Sequence, residues 1–188
     1  MKLAFLALGL ATLAAPLQAG DCRAPLLDVD FRPLAGRDTV NLCERYAGQV
    51  LLVVNTASKC GFTPQYEGLE ALHADLSGRG FAVLGFPSND FMGQEPGTEE
   101  EIREFCTNTY GVQFPMFEKV SVKQGEAHAF YDALAGQAGD TWPAWNFHKY
   151  LVGRDGRVVA SFGSRTRPDD PGLRAAIEAE LGKPVPGA

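Results

Sequence analysis

Apolar runs and helically spaced apolar positions alternate along most of the chain. Val50 to Asn55 and Phe81 to Phe86 are short apolar runs of the kind that form strands buried on both faces. Between them Tyr66, Leu69, Leu72, His73 and Leu76 recur at a 3.6-residue spacing. That spacing predicts a helix from Pro64 to about Leu76, with Thr63 as N-cap, Pro64 at the first helical position and Ser77 to Gly80 as its end. Strand, helix, strand implies a crossover joining a parallel pair. Thr98-Glu99-Glu100-Glu101 reads as a capping box for a helix with Ile102, Phe105, Cys106 and Thr109 on one face and Gly111 as its stop. Ala127 to Ala135 predicts another helix, and Phe147 to Val152 with Arg157 to Phe162 a hairpin on the Asp155-Gly156 turn. A last helix starts at the Asp170 cap and Pro171, with Leu173, Ala176, Ile177 and Leu181 on one face. Nearer the start, Asp28 to Arg32 and Thr39 to Val40 flank the turn-rich Pro33 to Arg37 and predict a small hairpin, followed by one short helical turn from Asn41 to Tyr46. The order calls for an α/β architecture, a central mixed sheet with helices on both faces.

The first residues follow a different pattern. Lys2 gives a positive start, Leu3 to Ala15 an apolar stretch too short to span a bilayer, and Leu17-Gln18-Ala19 a cut site, so residues 1–19 read as a secretory signal peptide. Residues 20–188 are then expected to form a single exported domain, periplasmic or secreted. Asp21 beside Cys22 argues against a lipid anchor there. The 188-residue chain is 45% hydrophobic and 21% charged, which suits one globular core. Its formal charge of −6, one unit more negative once Lys2 is removed, comes with no basic block, so neither nucleic acid nor an anionic membrane surface is an expected partner.

Chemistry enters through four cysteines, Cys22, Cys43, Cys60 and Cys106. In an oxidising compartment disulfides persist, and four cysteines allow three pairings, among which the spacing does not choose. No C-x-x-C is present, which removes the usual dithiol motif and the paired-cysteine zinc site. His73, His128 and His148 are scattered, so no metal or other cofactor is expected. Cys60 stands out: it lies in the strand-to-helix loop Asn55 to Tyr66, at the positive end of the predicted helix, where a thiol is most readily ionised. On its own that loop fits a buried structural cysteine as well as a reactive one.

Three separated segments together resemble the glutathione peroxidase family: Asn55-Thr56-Ala57-Ser58-Lys59-Cys60-Gly61-Phe62-Thr63, then Gly85 to Asn89 with Gly93-Gln94-Glu95-Pro96-Gly97, then Trp145-Asn146-Phe147 with Lys149. The resemblance runs from about Leu27 to Leu181 and implies a thioredoxin-like fold. It implies Cys60 as the peroxidatic residue, standing where some members carry selenocysteine, assisted by Gln94, Trp145 and Asn146. Two amides and an indole N–H are uncharged donors suited to a thiolate and then to the alkoxide released from a broken O–O bond. An ordinary thiol of pKa about 8.5 is roughly 3% ionised at pH 7, so full ionisation gains only about thirtyfold, near 2 kcal/mol. Orientation of the peroxide and stabilisation of the alkoxide must supply much of the rest.

The resemblance further implies Cys106 as the resolving residue, condensing with a Cys60 sulfenic acid to a disulfide that a thioredoxin-like donor reduces. A disulfide needs Cα atoms about 4.4–6.8 Å apart, so a helical Cys106 far from Cys60 would have to leave its helix. Cys22 and Cys43 fall outside this pattern and flank the predicted hairpin; a structural disulfide between them is expected. Ser88 stands where some cysteine-type members have another cysteine. The short segment Gly136 to Ala144 lacks the longer loop of tetrameric members, which favours a monomer with an open rim that admits hydrogen peroxide or organic hydroperoxides, lipid hydroperoxides among them. Two alternatives remain open: a redox relay that passes oxidation to a partner protein, and a non-enzymatic binding domain held by Cys22–Cys43 and Cys60–Cys106 disulfides.

Overall fold

The structure, a computed structural model, describes residue 22 and residues 24–186; the expected signal peptide lies outside them. Strand β3 (Val50–Thr56) is buried at all seven positions and pairs in parallel with β4 (Phe81–Pro87), in register from Val50 opposite Phe81 to Thr56 opposite Pro87. On its other side β3 pairs antiparallel with β5 (Lys149–Val152), and β5 with β6 (Val158–Phe162), giving the order β4-β3-β5-β6. The predicted N-terminal hairpin is present as β1 (Asp30–Phe31) and β2 (Val40–Asn41), paired Phe31 with Val40.

Strand alternation separates two apolar layers. Val50, Leu52 and Val54 face α2 (Gln65–Leu76), α3 (Glu99–Tyr110) and α5 (Pro171–Leu181) through Leu69, Leu72, Ile102, Cys106, Leu173 and Ile177. Leu51 and Val53 face α1 (Leu42–Tyr46) and α4 (Ala129–Gln137) through Leu42, Phe130 and Leu134. Both faces of β3 are therefore dry, which is why its sequence runs apolar without alternation.

Local signals set most helix ends. The Thr98 hydroxyl accepts from the Glu101 N–H while the Glu101 carboxylate accepts from the Thr98 N–H, and Gly111 closes α3 at φ 63°. Asn41 caps α1 and Asp170 caps α5. Helix α4 begins later than its apolar spacing implied because His128 Nδ1 accepts the Phe130 N–H as a cap. Thr109 is exposed rather than sharing the buried face of Ile102 and Cys106. The outer edge of β4 is covered by the irregular segment around Pro115 to Phe117: the Gly85 N–H donates to the Pro115 carbonyl and the Phe117 N–H to that of Gly85, both at 2.9 Å. A Cβ at Gly85 would meet the Met116 sulfur at 2.2 Å and the Phe114 ring at 3.0 Å, so a larger residue here would push both side chains aside.

Cys22 and Cys43 form the expected disulfide, with Cα atoms 6.0 Å apart, and tie the start of the described chain to α1. Cys60 and Cys106 are free thiols, so the second bridge of a two-disulfide binding domain is not formed. Closing a loop of 21 residues corresponds to about 3 kcal/mol of unfolded-state entropy. The double variant Cys22→Ser/Cys43→Ser should therefore lose about that much in urea unfolding, and peptide mapping of the unreduced protein should join Cys22 to Cys43.

Candidate active site

The loop after β3 is built around Thr63. Its hydroxyl accepts from the Cys60 N–H at 3.0 Å and donates to the Ala57 carbonyl at 2.8 Å, while the Thr63 N–H donates to the Cys60 carbonyl. Thr63 is thus not the N-cap that the sequence predicts. Residues 61–64 form successive turns and α2 begins at Gln65. Cys60 sits a full turn ahead of the helix, beyond the first turn within which a helix end acts strongly. The group directed at its sulfur is instead the Phe62 N–H, at 3.4 Å. Cys60 is 8% exposed, between exposed Lys59 and Gly61, which leaves the sulfur just inside the surface.

Gln94, Trp145 and Asn146 reach this loop from two other segments. The Lys59 N–H donates to the Gln94 carbonyl at 3.0 Å, fixing the cysteine loop to the glutamine loop. Asn146, wholly buried, donates from Nδ2 to Gln94 Oε1 at 3.0 Å, which turns the Gln94 amide so that its NH2 is free to donate elsewhere. Trp145 is half-buried, its ring 5.6 Å from that of Phe91, and packs against both apolar layers. The three expected assisting residues thus lie on segments joined at the ends of β3 and β4. Cys106 is on the buried face of α3 beside the Tyr66 hydroxyl; burial, opposed by the Tyr66 hydrogen bond and aided by the Glu95 charge, pushes its thiol up to about 11.

Motif residues to which no role had been assigned hold this junction. Asn55, fully buried in β3, donates from Nδ2 to the Trp145 carbonyl at 3.2 Å, accepts the His148 N–H on Oδ1 at 3.0 Å, and its own carbonyl accepts the Phe147 N–H at 2.7 Å. Phe147 has φ 63°, a costly conformation for a bulky residue, and this is why β5 starts at Lys149 rather than at Phe147. Lys149, also fully buried, donates from Nζ to the Phe147 carbonyl at 2.7 Å; burial lowers its pKa to about 7. His148 is lowered to about 4 by burial and by the Lys149 charge. Asn55, Phe147 and Lys149 all fall inside segments that carry the family resemblance, but buried lysine is rare and nothing in a lone sequence marks it. Among the described residues no His, Cys, Asp or Glu group could hold a metal ion, and no helix is long and apolar enough to cross a membrane.

A thioredoxin-like sheet with a cysteine loop at the end of its central strand defines a thiol-based oxidoreductase scaffold. The family model for glutathione peroxidase matches residues 26–135, and the chain belongs to the glutathione peroxidase family as a peroxidase. It is 43% identical over 167 residues to the thioredoxin/glutathione peroxidase BtuE of Escherichia coli, covering 77% of this chain and 91% of that one. It is 48% identical over 162 residues to the hydroperoxy fatty acid reductase gpx1 of Synechocystis, covering 81% and 90%. Among solved structures, apo Trgpx superposes with a TM-score of 0.67 at 33% identity, over 86% of this chain and 98% of that one.

The buried Lys149 makes stability depend on pH. Its folded pKa of about 7 lies below its ordinary 10.5, so between those values the unfolded chain binds a proton that the folded chain does not, and stability rises with pH. From pH 7 to pH 8.5 the unfolding free energy of the native protein from urea titration should rise relative to that of Lys149→Met, by at most about 1.4 kcal/mol per pH unit.

Proposed function

We propose that this protein is an exported thiol peroxidase that reduces hydrogen peroxide and organic hydroperoxides, lipid hydroperoxides included, through Cys60. The observation that carries the reading is the convergence of the Cys60 loop, Gln94 and Asn146 through the Lys59–Gln94 and Asn146–Gln94 hydrogen bonds. Cys60 attacks the nearer peroxide oxygen; the O–O bond breaks, Cys60 becomes a sulfenic acid and the other oxygen leaves as an alkoxide or hydroxide. Uncharged donors from Gln94, Asn146 and the Trp145 indole stabilise that leaving oxygen, and the Phe62 N–H supports the attacking sulfur.

Cys106 then resolves the sulfenic acid. Cys106 is enclosed on the buried face of α3, and on this reading the helix opens locally for the two sulfurs to meet. A thioredoxin-like donor reduces the resulting disulfide, a reading supported by the printed activity of the Escherichia coli relative, while the Synechocystis name supports fatty acid hydroperoxides as substrates. The Cys22–Cys43 bridge is of the kind that persists in an oxidising compartment, and it supports export together with the leader-like residues 1–19. The chain acts as a monomer.

Peroxide consumption with thioredoxin-type and glutathione donors in parallel tests this reading. Cys60→Ser should abolish turnover, and Gln94→Ala or Asn146→Ala should lower kcat/KM by about 10- to 1,000-fold. Cys106→Ser should keep one peroxide-consuming turnover and lose turnover with the thioredoxin-type donor; sustained turnover with glutathione alone would exclude the two-cysteine cycle. Hydrogen exchange should also speed up over residues 104–110 when the disulfide forms, and unchanged protection there would rule out the opening of α3.

A further inference from the structure

We propose that Lys149 is a positioning residue for the attack on peroxide: its side chain fixes the Phe147 carbonyl, and through that bend it holds the Asn146 amide on Gln94, next to the cysteine loop. This role rests on the peroxidase reading above, in which Asn146 assists Cys60. Lys149 opens β5 opposite Val54 and two residues before Leu151, so its side chain enters the apolar layer that also holds Cys60, Tyr66 and Phe147. It is completely buried and makes no ion pair among the described residues. Its hydrogen bond goes to the Phe147 carbonyl, at 2.7 Å. A buried amine without a counter-ion costs free energy that a methionine of similar length would not, so packing alone gives no reason for a lysine here.

The bond acts on a stretch of backbone that does not hold itself. Phe147 has φ 63°, a conformation that a bulky residue disfavours. Asn55 secures three groups around the bend: its Nδ2 donates to the Trp145 carbonyl at 3.2 Å, its own carbonyl accepts the Phe147 N–H at 2.7 Å, and its Oδ1 accepts the His148 N–H at 3.0 Å. None of these is the Phe147 carbonyl, and Lys149 supplies the partner for that group. The Phe147 ring is held separately, edge-on to Tyr66 with centroids 5.3 Å apart. Asn146 comes one residue before the bend, so the bend sets its direction. Its Nδ2 meets Gln94 Oε1 at 3.0 Å, and the Gln94 carbonyl accepts the N–H of Lys59, the residue before Cys60. Hydrogen bonds and single-residue steps thus run without a gap from Lys149 to the cysteine loop.

Removing the Lys149 donor leaves the Phe147 carbonyl buried without that partner, in a conformation that is already costly. Relief comes when residues 146–148 relax towards ordinary backbone angles, which moves the Asn146 amide off Gln94. A misplacement of about 1 Å in a group that aids a reaction can cost about a hundredfold in rate. The amine keeps an N–H for the carbonyl whether or not it is protonated, so the role does not turn on its charge. No bond of the reaction forms or breaks at Lys149, which acts through Asn146.

The test mixes the full-length reduced protein with hydrogen peroxide at several concentrations, quenches it with acid at intervals and weighs it by mass spectrometry, which gives the second-order rate constant for loss of the reduced form. In Lys149→Met this constant should fall about 10- to 100-fold, and Lys149→Arg, which keeps a donor, should recover part of the loss. Coupling separates positioning from a general disturbance of the fold. In an Asn146→Ala background Lys149→Met should slow the step by less than about threefold, because the group it positions is gone. Lys149→Leu provides the same comparison where circular dichroism finds Lys149→Met unfolded. A constant in Lys149→Met within about twofold of native, or an equal fall in both backgrounds, would overturn the role of Lys149. Native protein that peroxide oxidises no faster than Cys60→Ser would instead overturn the peroxidase reading, and the proposal with it.

Discussion

The side chain of Asn55 carries a constraint on which the rest of the site depends. It lies inside the central strand, where both faces of the sheet are dry, and there an amide must find partners or lose about as much free energy as a typical single mutation costs. It finds them in the Trp145 carbonyl and the His148 N–H, so the segment that delivers Trp145 and Asn146 is anchored to the most rigid element of the fold. Phe147, between those two contacts, is forced into a left-handed conformation worth about 1–2 kcal/mol. The Asn55 carbonyl and the Lys149 ammonium hold it there from either side. That bend leaves the Asn146 amide on Gln94.

The polar groups around Cys60 gain from this rigidity. Polar groups held in place before a ligand arrives need no reorganisation to meet it, and a buried surrounding makes each of them count for more than it would in water. Thr63 acts in the same sense on the cysteine loop, closing the chain between Ala57 and Cys60 with one hydroxyl used as both donor and acceptor. Cys106, by contrast, belongs to a helix whose outer face is charged and whose buried face is short, Ile102 and Cys106 being its two buried residues. The two free thiols thus sit in unlike settings, Cys60 on a loop closed by hydrogen bonds and Cys106 on a helix held by a narrow apolar face.

Elements that depend on local chemistry were legible in the sequence. The capping box at Thr98, the Asp170 cap, the Asp155-Gly156 turn and the apolar runs of β3 and β4 each announce themselves through a few neighbouring residues. The three motif segments were legible too, and the structure brings them into hydrogen-bond contact. What the sequence could not show was the burial of Lys149 and Glu95, because a charged residue normally marks the surface and its burial is decided by distant parts of the chain. The preference of Thr63 for the Cys60 loop over the helix end has the same origin: a threonine before a proline satisfies both patterns, and the turn at residues 61–64 decides between them. The cover on β4 comes from an irregular segment around Pro115 to Phe117 with no period for a pattern to reveal.

That cover bears on how the molecule behaves in a crowd. A four-stranded sheet presents two outer edges, and an unpaired edge is a template on which another chain can polymerise. Here the β4 edge is already hydrogen-bonded to its own chain through Gly85, and Val120 adds a further bond to Pro87. The β6 edge is partly closed by the Gln137 side chain, which accepts the Val158 N–H. A hydrogen atom in place of a methyl group at Gly85 thus does more than relieve a steric clash. It lets the chain's own backbone take the hydrogen-bonding places that an exposed edge would offer to another chain.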